Sequence, residues 1–147
     1  MSAEFDSSAE FDLNASFHWP VRVYWEDTDA GGVVYYANYL KFMERARSEW
    51  LRALGFEQDE LRRSAGVMFV VRKVEVDYLS PARFNDEIDV DVSVHEVGRA
   101  SLSVKQTLTR GSTRLVSAKV RLACVDALHF KPVKIPSLIL QALAQET

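Results

Sequence analysis

The chain contains a single cysteine, Cys124, in 147 residues. One thiol cannot close an internal disulfide, and by itself it cannot supply a structural zinc site, so a reducing cytoplasm is the expected setting. Long hydrophobic runs are also missing. No apolar stretch approaches the roughly 20 residues that a membrane-crossing helix needs. Neither sign of charge dominates: 18 Lys and Arg stand against 21 Asp and Glu, a formal net charge of -3. That balance provides no global basic footprint, and nucleic acid is not an expected partner. The N-terminal MSAEFDSSAEFDLN is acidic where a secretory signal would be basic, and it lacks a continuous apolar segment, so no export signal is expected.

A length of 147 residues with 48% hydrophobic content is enough for one domain with a substantial core. The pentapeptide SAEFD occurs at 2–6 and again at 8–12, a duplication too short for a repeat architecture. Residues 1–15 read as a flexible polar leader, and residues 16–147 as a single domain.

From Phe17 to Trp25 the sequence FHWPVRVYW is aromatic and β-branched with an early proline, as suits a first or edge strand. EDTDAGG follows at 26–32, a composition that resists helix and strand interiors alike. Between Asn38 and Leu54 the apolar residues Tyr39, Met43, Ala46, Trp50 and Leu54 recur at spacings of three and four, which predicts an amphipathic helix stopped by Gly55. The period then changes to two. Val74, Val76 and Tyr78 alternate with charged neighbours, and Ile88 to Val94, Leu102 to Leu108 and Val116 to Cys124 alternate with polar ones, with Gly98 and Gly111 as turn signals. A short helix is expected near 136–145, after Pro136. A strand, a long helix and four further strands predict an α+β fold, an antiparallel sheet packed on one helix.

The densest polar cluster before that helix is Glu26, Asp27 and Asp29, followed by Gly31 and Gly32. Helix-start N–H groups lack internal partners and can hold an oxyanion, glycines allow close approach of a substrate, and a carboxylate beside them can attack a thioester or activate water. Acids before a helix also serve simply as caps, and composition alone favours that role. The D-x-D spacing does not continue into a calcium loop, and no G-K-S/T follows the glycines, so neither a metal nor a phosphate loop is expected. Cys124 reads as a buried, inert thiol among apolar neighbours. His18, His95 and His129 lie outside the cluster and read as surface or structural residues. Glu44 suits an ordinary helix ion pair, with a catalytic assisting role as the alternative.

The run VYWEDTDAGGVVYYANYLKFMERARSEWL at 23–51 resembles the signature of the 4-hydroxybenzoyl-CoA thioesterase family of hotdog proteins. Within that family the chain is most similar to the YbgC-like acyl-CoA thioesterases, whose genes commonly accompany the Tol-Pal envelope system. Agreement continues through VRKVEVDYLSPARFND at 71–86 and LACVDALHFKPVKIP at 122–136. The resemblance implies a hotdog fold, an antiparallel sheet wrapped around one long central helix. It implies hydrolysis of an acyl-CoA, with Asp29 as nucleophile or general base and the backbone N–H of Tyr36 polarising the carbonyl. YbgC-like sequences often carry histidine at that position, in VVYHA, where this chain has VVYYA; a backbone N–H survives the exchange, while acyl preference is left open. No cofactor is implied, because CoA enters with the substrate.

Binding the CoA phosphates calls for cations, and Arg72, Lys73, Arg83 and Arg99 are the candidates, with Gly31 and Gly32 at the acyl end. Each cation also fits a solvated strand face. The family further implies a homo-oligomer, a dimer joined edge to edge and paired again into a tetramer. An acyl carrier protein, or components of Tol-Pal or phospholipid synthesis, are the implied partners. Two other classes remain: a hotdog dehydratase, which would use a histidine that this signature lacks, and a non-catalytic acyl-carrier or scaffold module.

Overall fold

The computed structural model describes residues 17–146, and the expected leader at 1–15 lies outside the described residues. Strand β1 spans Phe17–Arg22, helix α1 Asn38–Ala53, helix α2 Gln58–Ala65 and strand β2 Val67–Tyr78. Three strands follow, β3 at Glu87–Val97, β4 at Ser101–Arg110 and β5 at Thr113–Asp126, and helix α3 covers Ser137–Glu146. The five strands form one antiparallel sheet in the order β1-β3-β4-β5-β2. β1 and the 12-residue β2 are therefore its edges. Pro20 sits in β1, where a missing backbone donor is tolerated because only one side of the strand is paired.

Alternation along the strands sorts the two faces. Ile88, Val90 and Val92 of β3, Leu102, Val104 and Leu108 of β4, and Val116, Val120 and Cys124 of β5 are buried on the face that carries α1. From α1 the buried side chains are Tyr39, Phe42, Met43, Ala46, Trp50 and Leu51, the helical stripe expected from the spacing, and each large one contributes about 1.5–3 kcal/mol of transfer free energy. Gly55 ends the helix with φ +100°, and the Phe56 N–H donates back to the Leu51 carbonyl at 2.9 Å. The one polar residue at an inward position of β4 is Gln106, fully buried. Its Nε2 donates to the Met43 carbonyl at 3.1 Å, and its Oε1 accepts from Arg47 Nη1 at 3.0 Å, so α1 is tied to the sheet at mid-length.

Three local features depart from the sequence reading. β1 stops at Arg22, short of Trp25, because the Asp27 carboxylate accepts the Tyr24 N–H at 2.8 Å and winds Trp25–Asp27 into a 3-10 turn. α2 has no sequence counterpart: it buries only Leu61, and a single apolar residue makes no stripe. β2 begins at Val67, well before the alternation starting at Val74. Its register shifts between Val71 and Lys73, and the extra residue, Arg72, reverses which positions face the core. Val67 and Phe69 point inward before this bulge, and Val74 and Val76 pack on the core after it, so no single period covers the strand. Among the described residues no helix is long and apolar enough to cross a membrane.

Candidate active site

Between β1 and α1 the chain makes a turn that is specified residue by residue. Thr28 and Val34 bridge to each other, the Asp29 N–H donates to the Val33 carbonyl at 2.9 Å, and the Gly32 N–H donates to the Asp29 carbonyl at 3.0 Å. Gly32 closes the turn with φ +80°, a conformation that favours glycine. The Gly31 N–H donates to Asp29 Oδ1 at 2.8 Å, and a Cβ on Gly31 would lie 3.3 Å from that same oxygen. Gly31 thus holds the Asp29 carboxylate, while Gly32 closes the turn on the Asp29 backbone carbonyl. The turn is fastened to the loop between β2 and β3, where the Val34 N–H donates to the Ala82 carbonyl at 2.8 Å, Val33 bridges Arg83, and Trp25 stacks on Phe84 at 3.9 Å.

This geometry separates the three acids that composition left together. Asp27 is 8% exposed; its carboxylate takes the Tyr24 N–H, while its carbonyl takes the Tyr35 N–H at 3.1 Å and Asn38 Nδ2 at 2.8 Å. It caps the 3-10 turn through Tyr24, and Asn38 ties that turn to α1, whose own N-terminus takes no side-chain cap. Glu26 and Asp29 are exposed, and Asp29 is the one held by the glycine turn. Just beyond, the Asn38 N–H donates to the Tyr35 carbonyl, while among the described residues nothing accepts the N–H groups of Tyr36 and Ala37. An exposed carboxylate and a helix start with two unpartnered donors therefore lie on one continuous segment.

A hollow beside the helix start is lined by Val34, Tyr36, Tyr39, Tyr78, Leu79 and Pro81. The Tyr39 hydroxyl accepts the Ala82 N–H at 3.0 Å, and burial raises its phenol above the usual value. Tyr78 is raised too, by burial first and then by neighbouring Tyr36, so both keep their hydroxyl protons at neutral pH.

The cation candidates lie in different parts of the fold. Arg83 adjoins the turn through its bridge to Val33. Arg72 and Lys73 line a groove on the sheet with Ala100, Ser101, Arg121 and Pro132, and Arg99 precedes that groove in the β3–β4 turn. The six positions from Arg72 to Tyr78 correspond to about 20 Å of strand. Arg121 was not among the sequence candidates; only the pairing of β5 with β2, which sets it opposite Lys73, brings it in. Ala37 and Tyr78 were also unassigned, although Tyr78 lies inside the quoted run at 71–86.

The remaining reactive groups lie elsewhere. His18 pairs with Asp89 at 2.7 Å, His129 lies 3.5 Å from Asp126, and His95 is exposed on β3. Cys124 is fully buried, and burial pushes its thiol up, as an inert residue requires. Glu44 is exposed on α1, and its charge raises Arg47 against the larger lowering by burial.

An antiparallel sheet packed on one long helix is the hotdog fold of thioesterases. The same fold is seen in the crystal structure of Slr0204, a 1,4-dihydroxy-2-naphthoyl-CoA thioesterase from Synechocystis (TM-score 0.80, 19% identity, 87% of this chain and 95% of that one). The chain belongs to the Thioesterase-like superfamily, whose profile matches residues 23–143, and it is accordingly an enzyme of the thioesterase class. It is 48% identical over 117 residues to the acyl-CoA thioesterase YbgC of Haemophilus influenzae, covering 80% of this chain and 86% of that protein. It is 44% identical over 128 residues to the acyl-CoA thioester hydrolase YbgC of Escherichia coli O6:H1, covering 86% and 95%.

Proposed function

We propose that this protein hydrolyses acyl-CoA thioesters to the free acid and CoA, with Asp29 as the catalytic carboxylate. One observation carries the reading: the exposed Asp29 carboxylate is held by the Gly31 N–H on a turn that runs directly into a helix start whose Tyr36 and Ala37 N–H groups have no partner among the described residues. The thioester oxygen is taken up by the Tyr36 and Ala37 N–H groups, which strengthen as negative charge develops on it. As general base, Asp29 takes a proton from water while the water oxygen adds to the carbonyl carbon. The C–S bond then breaks, and the departing thiolate receives the proton. As nucleophile, Asp29 forms a mixed anhydride as the thiolate leaves, and water then cleaves it. The carboxylate position suits either route, and Arg72, Lys73, Arg99 and Arg121 are proposed to hold the phosphates at the distal end of CoA.

Thiol release from short, long and aromatic acyl-CoAs tests this assignment. Asp29→Asn should fold normally and lose at least about a hundredfold in kcat. A folded Asn variant with wild-type turnover would falsify the role of Asp29. Turnover by neither protein on any acyl-CoA would favour the carrier or scaffold class.

Two copies are proposed to complete the site. In one protomer the hollow is open and Tyr78, on the edge strand β2, is half exposed beside it. A second copy paired on that edge would both satisfy the strand and wall the hollow.

A further inference from the structure

The Tyr78 hydroxyl, on the edge strand, donates to the backbone carbonyl of Tyr36 at 3.3 Å. That carbonyl belongs to the same peptide unit as the Ala37 N–H, and it lies on the residue that carries the Tyr36 N–H. A hydrogen bond accepted at the carbonyl end of an amide polarises the group and strengthens its N–H as a donor, by about 10–30% per bond. It also fixes the plane of the peptide, and so the direction in which the N–H points.

Tyr78 is itself held in place. Its ring meets Tyr36 edge-on at 6.2 Å and Tyr39 at 5.7 Å, and Tyr39 is anchored on the Ala82 N–H. Ala82 in turn receives the Val34 N–H, from the far side of the Asp29 turn. The turn, the helix start and the edge strand are thereby joined by one set of contacts around the Tyr36 carbonyl.

We propose that Tyr78 is a positioning residue for thioester hydrolysis, its hydroxyl orienting and polarising the Tyr36–Ala37 peptide so that the Ala37 N–H receives the developing oxyanion beside the N–H of Tyr36. The assignment rests on the acyl-CoA hydrolase reading above. Because this contribution grows with charge on the thioester oxygen, losing it lowers kcat and leaves substrate binding nearly unchanged. A direct oxyanion donor is worth about 10²–10³ in kcat, so a residue acting one bond behind should be worth about tenfold.

Tyr78→Phe removes the hydroxyl and keeps the ring. Steady-state kinetics on the best acyl-CoA of the panel and a thermal melt would be measured for the wild type, Tyr78→Phe and Asp29→Asn. The expected result for Tyr78→Phe is a kcat about tenfold lower, with KM within about twofold and a melting midpoint within about 2 °C. The infrared carbonyl stretch of a bound, non-hydrolysable ketone analogue of acyl-CoA should move back toward its value in water. If Asp29→Asn is inactive while Tyr78→Phe keeps wild-type kcat and the wild-type stretch, the Tyr78 assignment is wrong and the hydrolase reading stands. A Tyr78→Phe variant that loses melting temperature and raises KM instead has lost packing, which also overturns the assignment. Should Asp29→Asn remain active, the reading beneath both claims fails.

Discussion

Neighbouring carboxylates in this protein have opposite fates because of what their oxygens meet. Asp27 and Asp29 are two residues apart, yet one is buried as a cap and the other is exposed on a glycine turn. Asp86 illustrates a third environment. Burial alone would raise its carboxyl, but the Arg83 N–H at 2.9 Å and Arg110 Nη1 at 2.8 Å more than offset this and hold it below the usual range. A depressed carboxyl stabilises the fold above its unfolded value of about 4, and that stability is lost as pH falls through the folded value. Asp86→Asn should therefore destabilise the protein at pH 7 by about 1.5–3 kcal/mol, with the difference from wild type shrinking below pH 4. Urea denaturation at both pH values measures it; an equal loss at both would mean that charge is not the cause.

Among the elements, α1 was the most legible in the sequence, since its stripe repeats at spacings that only a helix places on one face. Its stop was legible as well. Gly55 adopts φ +100°, which a residue with a Cβ adopts only under strain, so Gly55→Ala should cost about 1 kcal/mol by denaturant midpoint with little change in activity. An unchanged midpoint would mean that the helix end relaxes freely. β2 was legible only in its second half. The bulge at Arg72 inverts the inward phase, and two half-strands of opposite phase do not read as one strand. α2 has Leu61 as its one buried residue and exposed charge pairs, Arg62–Asp59 and Arg63–Glu60, on its other faces, a pattern that makes no apolar stripe.

Among the described residues the sheet closes on neither side: β1 and β2 are both edges, and the tyrosine-lined hollow opens beside β2. Half-exposed Val71 and Tyr78 on that strand would be covered by a second copy. Multi-angle light scattering at micromolar concentration should give a dimer or a multiple of it, and a proline at an outward-bonding position of β2 should lower both mass and turnover. A fully active monomer would refute the two-copy site.

Features that depend on near neighbours along the chain are legible before folding is considered. The helix and strand periods, the turn at Asp29-Ala30-Gly31-Gly32 and the helix stop at Gly55 are set by residues within a few positions of one another, where backbone sterics and local hydrogen bonds act. Which acid is buried, which strand carries the bulge and which distant groups meet are settled by the packing of sheet on helix. Tyr78 reaches the Tyr36 carbonyl across 42 residues, Arg121 joins Arg72 and Lys73 through the β5–β2 register, and Gln106 ties β4 to α1. Those contacts arise from folding the sheet onto the helix, because burying the apolar face fixes every register at once, and no local pattern records the outcome.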